Sequence, residues 1–220
     1  DFGRLDVMFN NAGVAGAYGI AANPVRIKSN GDWLLPVYGY DNKVSLTTGY
    51  VKIRKSSDKG ATWTTLATIN PPSGSFDETE LLILDTGRIV CVMRTFPSGG
   101  GTHLYSCYSD DGGSTWTTPT LMLSNAGGRP SLHQTSTGAV LLMYRYMVGG
   151  TTSGYTHLVT SLDRCATWGS PIDPYDGAAG RTTTTGLTTP PPRGPGVYGA
   201  FAEASAGSSD AVLYWCEEGY

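Results

Sequence analysis

Ser109-Asp-Asp-Gly-Gly-Ser-Thr-Trp116 decides the reading of this chain, because it occurs three times. Ser56-Ser-Asp-Lys-Gly-Ala-Thr-Trp63 precedes it and Ser161-Leu-Asp-Arg-Cys-Ala-Thr-Trp168 follows it, at spacings of 53 and 52 residues. All three fit S-x-D-x-G-x-T-W, except that Cys165 replaces the glycine. Fixed-period repetition is the mark of a repeat architecture. The motif itself reads as a turn. Ser and Asp side chains bond nearby backbone amides, glycine accepts positive φ, and the Trp packs back between sheets. Cys165 is expected to sit under strain if its φ is positive. These residues are therefore structural rather than catalytic.

A second repeat runs out of step with the first. Gly31-Asp-Trp-Leu-Leu-Pro-Val-Tyr38, Gly87-Arg-Ile-Val-Cys-Val-Met-Arg94 and Gly138-Ala-Val-Leu-Leu-Met-Tyr-Arg145 each pair a turn glycine with an apolar strand. Asp210-Ala-Val-Leu-Tyr-Trp-Cys-Glu217 is a fourth copy without the glycine. Such strands are apolar on both faces, as expected for sheets stacked around an axis. No stretch keeps a helical period. The expectation is an all-β chain, a β-propeller of about four blades in one domain. The blades fall near residues 19–70, 71–124, 125–176, and 177–220 joined with 1–18. In the last, Gly3-Arg-Leu-Asp-Val-Met-Phe9 would complete the final sheet, which removes open edges. A fragment of a larger propeller, or blades shared between copies in a homo-oligomer, are the alternatives.

The totals narrow the classes. Charged residues make up 15% of the 220 and the net charge is −3, so no basic footprint for nucleic acid exists. No apolar run is long enough for a membrane helix. The chain opens directly at Asp1 without a leader-like segment and reads as a mature or excised piece. The expected location is extracellular, although no segment encodes it. The four cysteines lack metal-ligand spacing. Cys91 and Cys107 fall opposite each other in an expected hairpin, where a disulfide or two buried thiols would fit; the apolar strands favour thiols. The three histidines, His103, His133 and His157, form no ligand pattern, and only His133, close to Arg129, is placed to line a channel mouth. Nothing implies a cofactor or metal. Asn10-Asn-Ala-Gly13 has the letters of a dehydrogenase segment, but no glycine-rich strand–turn–helix accompanies it.

The three motifs, with Asp77-Glu-Thr-Glu-Leu-Leu-Ile-Leu-Asp-Thr-Gly-Arg-Ile-Val-Cys-Val-Met-Arg94, resemble the Asp-box (BNR-repeat) superfamily and its bacterial sialidases. The resemblance covers nearly the whole chain. It implies a retaining glycoside hydrolase acting on terminal acidic sugars. In sialidases an arginine triad grips the substrate carboxylate, a tyrosine assisted by a glutamate attacks, and an aspartate is the acid/base. A neutral tyrosine suits an anionic substrate that would repel a carboxylate nucleophile. Carried onto this sequence, Glu78 is the tyrosine's partner, Tyr198 the nucleophile and Asp41 the acid/base, with Glu203 a weaker neighbour of Tyr198. Arg94, Arg129 and Arg145 are the carboxylate binders, and blade symmetry aims Glu78 and all three arginines at one channel mouth. One departure stands out: the family's Arg-Ile-Pro is missing. Tyr18-Gly-Ile-Ala21 fills its slot, and Arg26-Ile-Lys28 falls too close to Gly31 to replace it. The competing readings are a non-catalytic carbohydrate-binding or adhesion module, and a structural or designed repeat ring.

Overall fold

A computed structural model describes residues 19–21, 26–40, 49–96, 102–147, 154–172, 197–203 and 212–218. The described residues form fourteen strands and no helix. Blade 1 holds β1 (Gly19–Ala21), β2 (Arg26–Ile27), β3 (Trp33–Tyr40), β4 (Gly49–Ser56) and β5 (Thr64–Ile69). Both β1 and β2 pair with β3, so they act together as one interrupted inner strand. Blade 2 runs β6 (Ser75–Ile83), β7 (Ile89–Phe96), β8 (Leu104–Ser109), β9 (Thr120–Leu123) in order. Blade 3 has β10 (Ala126–Gln134), β11 (Val140–Met147) and β12 (Gly154–Ser161), and Leu158 makes an isolated bridge to Ile172. The last sheet pairs β13 (Val197–Glu203) with β14 (Val212–Glu218). All pairings are antiparallel, as meandering blades of a β-propeller require. The segment expected to complete the last blade, residues 1–18, lies outside the described residues.

The inner hairpins share one turn. Leu84 N–H donates to Arg88 O at 2.8 Å and Gly87 N–H to Leu84 O at 2.8 Å. The same two bonds recur around Gly31 and Gly138. Gly87 has φ +86°, which explains the repeated glycine.

Two apolar clusters fill the spaces between blades. Leu34, Val51, Ile53, Phe76, Leu81, Met93 and their neighbours lie between blades 1 and 2. Leu82, Val90, Val92, Leu132, Leu142, Tyr144 and their neighbours lie between blades 2 and 3. Successive residues of β6 and β7 therefore enter different clusters, so both faces of blade 2 are core. That is why the inner strands read as continuous apolar runs. Trp116 packs on the first cluster and Trp168 on the second. At the far side of blade 3, His133 faces Phe201 of β13 with ring centroids 5.9 Å apart, continuing the stack.

Each motif forms the expected turn. In the first, Ser56 Oγ accepts from Gly60 N–H at 2.7 Å, Asp58 accepts from Thr62 N–H at 2.8 Å, and Trp63 Nε1 donates to Gly60 O at 3.0 Å. The hydroxyl and amide donors around each aspartate hold Asp58, Asp111 and Asp163 at about 2, below the ordinary carboxylate value. Cys165 has φ +69°, so the expected strain is present. The residue before it is also left-handed: Lys59 and Arg164 have φ +57° and Gly112 +74°. Cys91 and Cys107 are paired directly across β7 and β8, and both are free buried thiols.

Candidate functional site

Counting from the hairpins places the candidate residues at equal height in successive blades. The last register pairs are Ile83–Ile89, Gln134–Val140 and Glu203–Val212. Glu78, Arg129 and Tyr198 each lie five residues before the first member of their pair. Arg94, Arg145 and Glu217 each lie five residues after the second. All six thus belong to the rim away from the Asp-box turns. Side-chain alternation makes Arg94 face blade 3 and Arg145 face the last sheet, since Met93 and Tyr144 point the other way into the apolar clusters.

In blade 2 the rim is closed on itself. The register of β6 slips between Phe76 and Thr79, a bulge that sets both Asp77 and Glu78 against Arg94. Arg94 donates from Nε to Asp77 Oδ1 at 2.7 Å and from Nη2 to Asp77 Oδ2 at 2.5 Å. Its Nη1 lies 3.1 Å from Glu78 Oε2. Both carboxylates are buried. Arg94 is expected to meet a ligand carboxylate, but its fork is filled by Asp77, and what remains is directed at Glu78.

In blade 3 the corresponding slip falls between Gly127 and Ser131 and contains no carboxylate. Gly128 has φ +76°, and a Cβ there would come 2.8 Å from Arg145 Cβ and 3.1 Å from its Nε. The arginine side chain therefore lies across bare backbone. Its Nε is buried with no hydrogen-bond partner among the described residues. Arg129 is exposed beside it on the same bulge.

A fourth arginine reaches over from blade 1. Arg26 Nε donates to Leu81 O at 2.7 Å, and its Nη2 pairs with Glu80. Glu80 is fully buried on β6, and burial pushes its carboxyl up to about 7 against the pull of Arg26 and Arg129. Sequence reasoning set Arg26 aside for its distance from Gly31. That distance is real, but the side chain spans from one inner strand to the next. Asp77, Glu80 and Glu217 were missed as well. The blade symmetry that matched Arg145 to Arg94 and Arg129 to Glu78 would have found Glu217, while Asp77 depends on the bulge.

The remaining candidates are placed as follows. Asp41 lies outside the described residues. Tyr198 stands opposite Glu217 in the β13–β14 register. Glu203 begins the opposite, hairpin end of that pair, away from the rim. His133 sits one residue before the end of β10, half-buried against Phe201 and at the hairpin end rather than the rim. Among the described residues no group of three or more His, Cys, Asp or Glu could hold a metal ion, and no helix is long and apolar enough to cross a membrane.

Fold and site together define a β-propeller of Asp-box blades with a charged rim. Residues 13–128 match the model of the BNR repeat-like domain, and the chain belongs to that family. No curated protein matches it. Similar solved structures include the GH93 α-L-arabinofuranosidase of Fusarium graminearum in complex with arabinobiose, at 20% identity and TM-score 0.54, over 72% of this chain and 52% of that one. A protein of unknown function from Dyadobacter fermentans DSM 18053 matches at 19% identity and TM-score 0.59, over 93% of this chain and 70% of that one. An α-L-arabinofuranosidase from Lactobacillus brevis matches at 14% identity and TM-score 0.57, over 88% and 64%. The chain spans about half the length of the Fusarium enzyme. At these identities the likeness is one of fold.

Proposed function

We propose that this chain carries the sugar-binding rim of a glycoside hydrolase acting on acidic glycans. The observation that carries the reading is the blade 3 rim, where Arg145 lies over Gly128 with its buried Nε unbonded among the described residues, beside exposed Arg129. A guanidinium held over bare backbone, as that of Arg145 is, suits a planar anionic group.

In this reading Arg129 and Arg145 receive the substrate carboxylate, and Arg94, locked by Asp77, orients Glu78. Tyr198 serves as nucleophile with Glu78 as its assisting carboxylate, and Asp41 as acid/base, giving retention. The sugar-active neighbours in the same fold, described as arabinofuranosidases, lend support to a glycosidase as the class. Fluorogenic sialoside, glucuronide and arabinofuranoside substrates test it. Release from an acidic substrate, abolished in Glu78→Gln, supports the proposal. Release from the arabinofuranoside alone overturns the acidic specificity, and no release from any overturns hydrolysis.

One observation favours a second reading, a non-catalytic carbohydrate-binding or adhesion module. The bidentate Asp77–Arg94 pair takes up an arginine that a sialidase-type site would offer to its substrate. That reading expects glycan binding without turnover, unchanged in Glu78→Gln.

A further inference from the structure

The interfaces on the two sides of blade 2 differ at the end away from the rim. Between blades 1 and 2, Leu66 of β5 covers the second Asp-box: a Cβ on Gly113 would come 3.2 Å from Leu66 Cδ2. Leu66 stands three residues after Trp63. The residue three after Trp116 is Pro119, which has no N–H to pair in a sheet. The outer strand β9 accordingly starts only at Thr120 and runs four residues, against six in β5. At that place in the sequence blade 2 has no leucine to cover the third Asp-box. What remains is an open notch of about 650 Å³ between blades 2 and 3, with Cys165 on its wall. Sites for small ligands commonly fall between ~300 and ~1,000 Å³.

The lining is amphiphilic. Tyr108, Leu121 and Trp168 supply apolar surface and Thr118 a hydroxyl, while the Thr117 hydroxyl already accepts from Tyr108 N–H and that of Thr167 donates to Asp163. Tyr108 is 39% exposed and Leu121 53%. Two arginines also line the notch, but each is neutralised by a carboxylate fork. Arg88 bonds Asp110 at 2.7 and 2.9 Å and covers one face of the Tyr108 ring at 4.0 Å. Arg164 bonds Asp85 at 2.9 Å through both nitrogens. An anion therefore gains little here, and a purely apolar ligand would desolvate the Thr118 hydroxyl without replacing its hydrogen bonds. A sugar chain offers both an apolar C–H face for the rings and hydroxyl edges for Thr118.

We propose that this notch is a second carbohydrate-binding site, specific for neutral oligosaccharides and independent of the charged rim. The probes are maltohexaose, xylohexaose and arabinohexaose, titrated into the isotope-labelled chain while backbone amides are followed. At least one of them is expected to shift the amides of Thr117, Thr118, Thr120, Leu121, Met122, Thr167 and Trp168. Leu121→Glu and Thr118→Arg, both at exposed positions, should weaken that binding about tenfold with an unchanged melting temperature. Arg145→Ala should leave it untouched, which separates this site from the rim whatever the rim does. Shifts confined to the rim, no shift with any of the three sugars, or full binding by both notch variants would each overturn the proposal.

Discussion

Blades 2 and 3 present an arginine at the same height, yet the two arginines have different company. Arg94 is caught between Asp77 and Glu78, while Arg145 lies over the bare backbone of Gly128. The difference comes from what each inner-strand bulge carries: two carboxylates in β6, a glycine, an arginine and a proline in β10. Repeated geometry therefore fixes where a side chain stands, and the bulge composition decides whether it is spent on the fold or left for a ligand.

The comparison breaks most visibly if Arg94 is deprived of its partner. Asp77→Ala leaves a largely buried guanidinium with half its company, and should cost about 3 kcal/mol in denaturant unfolding. A loss similar to that of an exposed pair would mean that the blade 2 rim is no more structural than that of blade 3.

Glu80 gives the same contrast a pH signature. The folded chain holds the proton of Glu80 up to about 7, whereas an ordinary glutamate releases it near 4.5. Between these values the folded state binds more protons than the unfolded one, so this group makes stability fall as pH rises from about 4.5 to about 7. Glu80→Gln should flatten the slope of unfolding free energy in that window. The Asp-box aspartates act in a different range, because carboxyls lowered to about 2 lose their contribution only as pH falls below the ordinary aspartate value. An unchanged slope between 4.5 and 7 in Glu80→Gln would remove Glu80 as its source.

The Asp-box ends sharpen the contrast from the other side. Placing the blade 3 residue in blade 2, Gly113→Cys, puts a side chain at φ +97° and against Leu66, and should cost about 2 kcal/mol. The reverse change, Cys165→Gly, relieves strain at φ +69° but removes a thiol packed on the blade 2–3 cluster. The two effects oppose, and thermal unfolding should register a net change below about 1 kcal/mol. Equal costs for both changes would show that the two interfaces are packed alike.

Much of the fold was legible because its devices are local. A turn glycine, a serine and an aspartate two apart, and a closing Thr-Trp each act within eight residues, so they survive as spelling. Even the strain at Cys165 could be read, since glycine occupies that place in the other two boxes. The left-handed Lys59 and Arg164 could not, because neither residue type signals such a backbone, and Gly112 alone hinted at it. At the site, Glu78 and Arg94 were legible through the sialidase resemblance, and Arg129 and Arg145 through blade symmetry with them. Asp77 reaches Arg94 only because a bulge shifts the register by one, and Arg26 reaches Glu80 only because two blades stand side by side. Neither relation is written in spacing along the chain. The notch was hidden for a similar reason: Pro119 shortens a strand whose absence matters only to the next blade.

The smallest stability effect belongs to the residue with the largest expected effect on binding. Arg145→Ala removes a side chain that bonds no carboxylate among the described residues, and should change unfolding free energy by no more than about 0.5 kcal/mol. Isothermal titration of N-acetylneuraminic acid and glucuronic acid into the wild-type chain and Arg145→Ala tests the central claim directly. The account predicts that an acidic sugar binds the wild type and that Arg145→Ala weakens it at least about tenfold, with the melting temperature preserved. Equal binding by both proteins, or a melting temperature that falls as far as in Asp77→Ala, would contradict it.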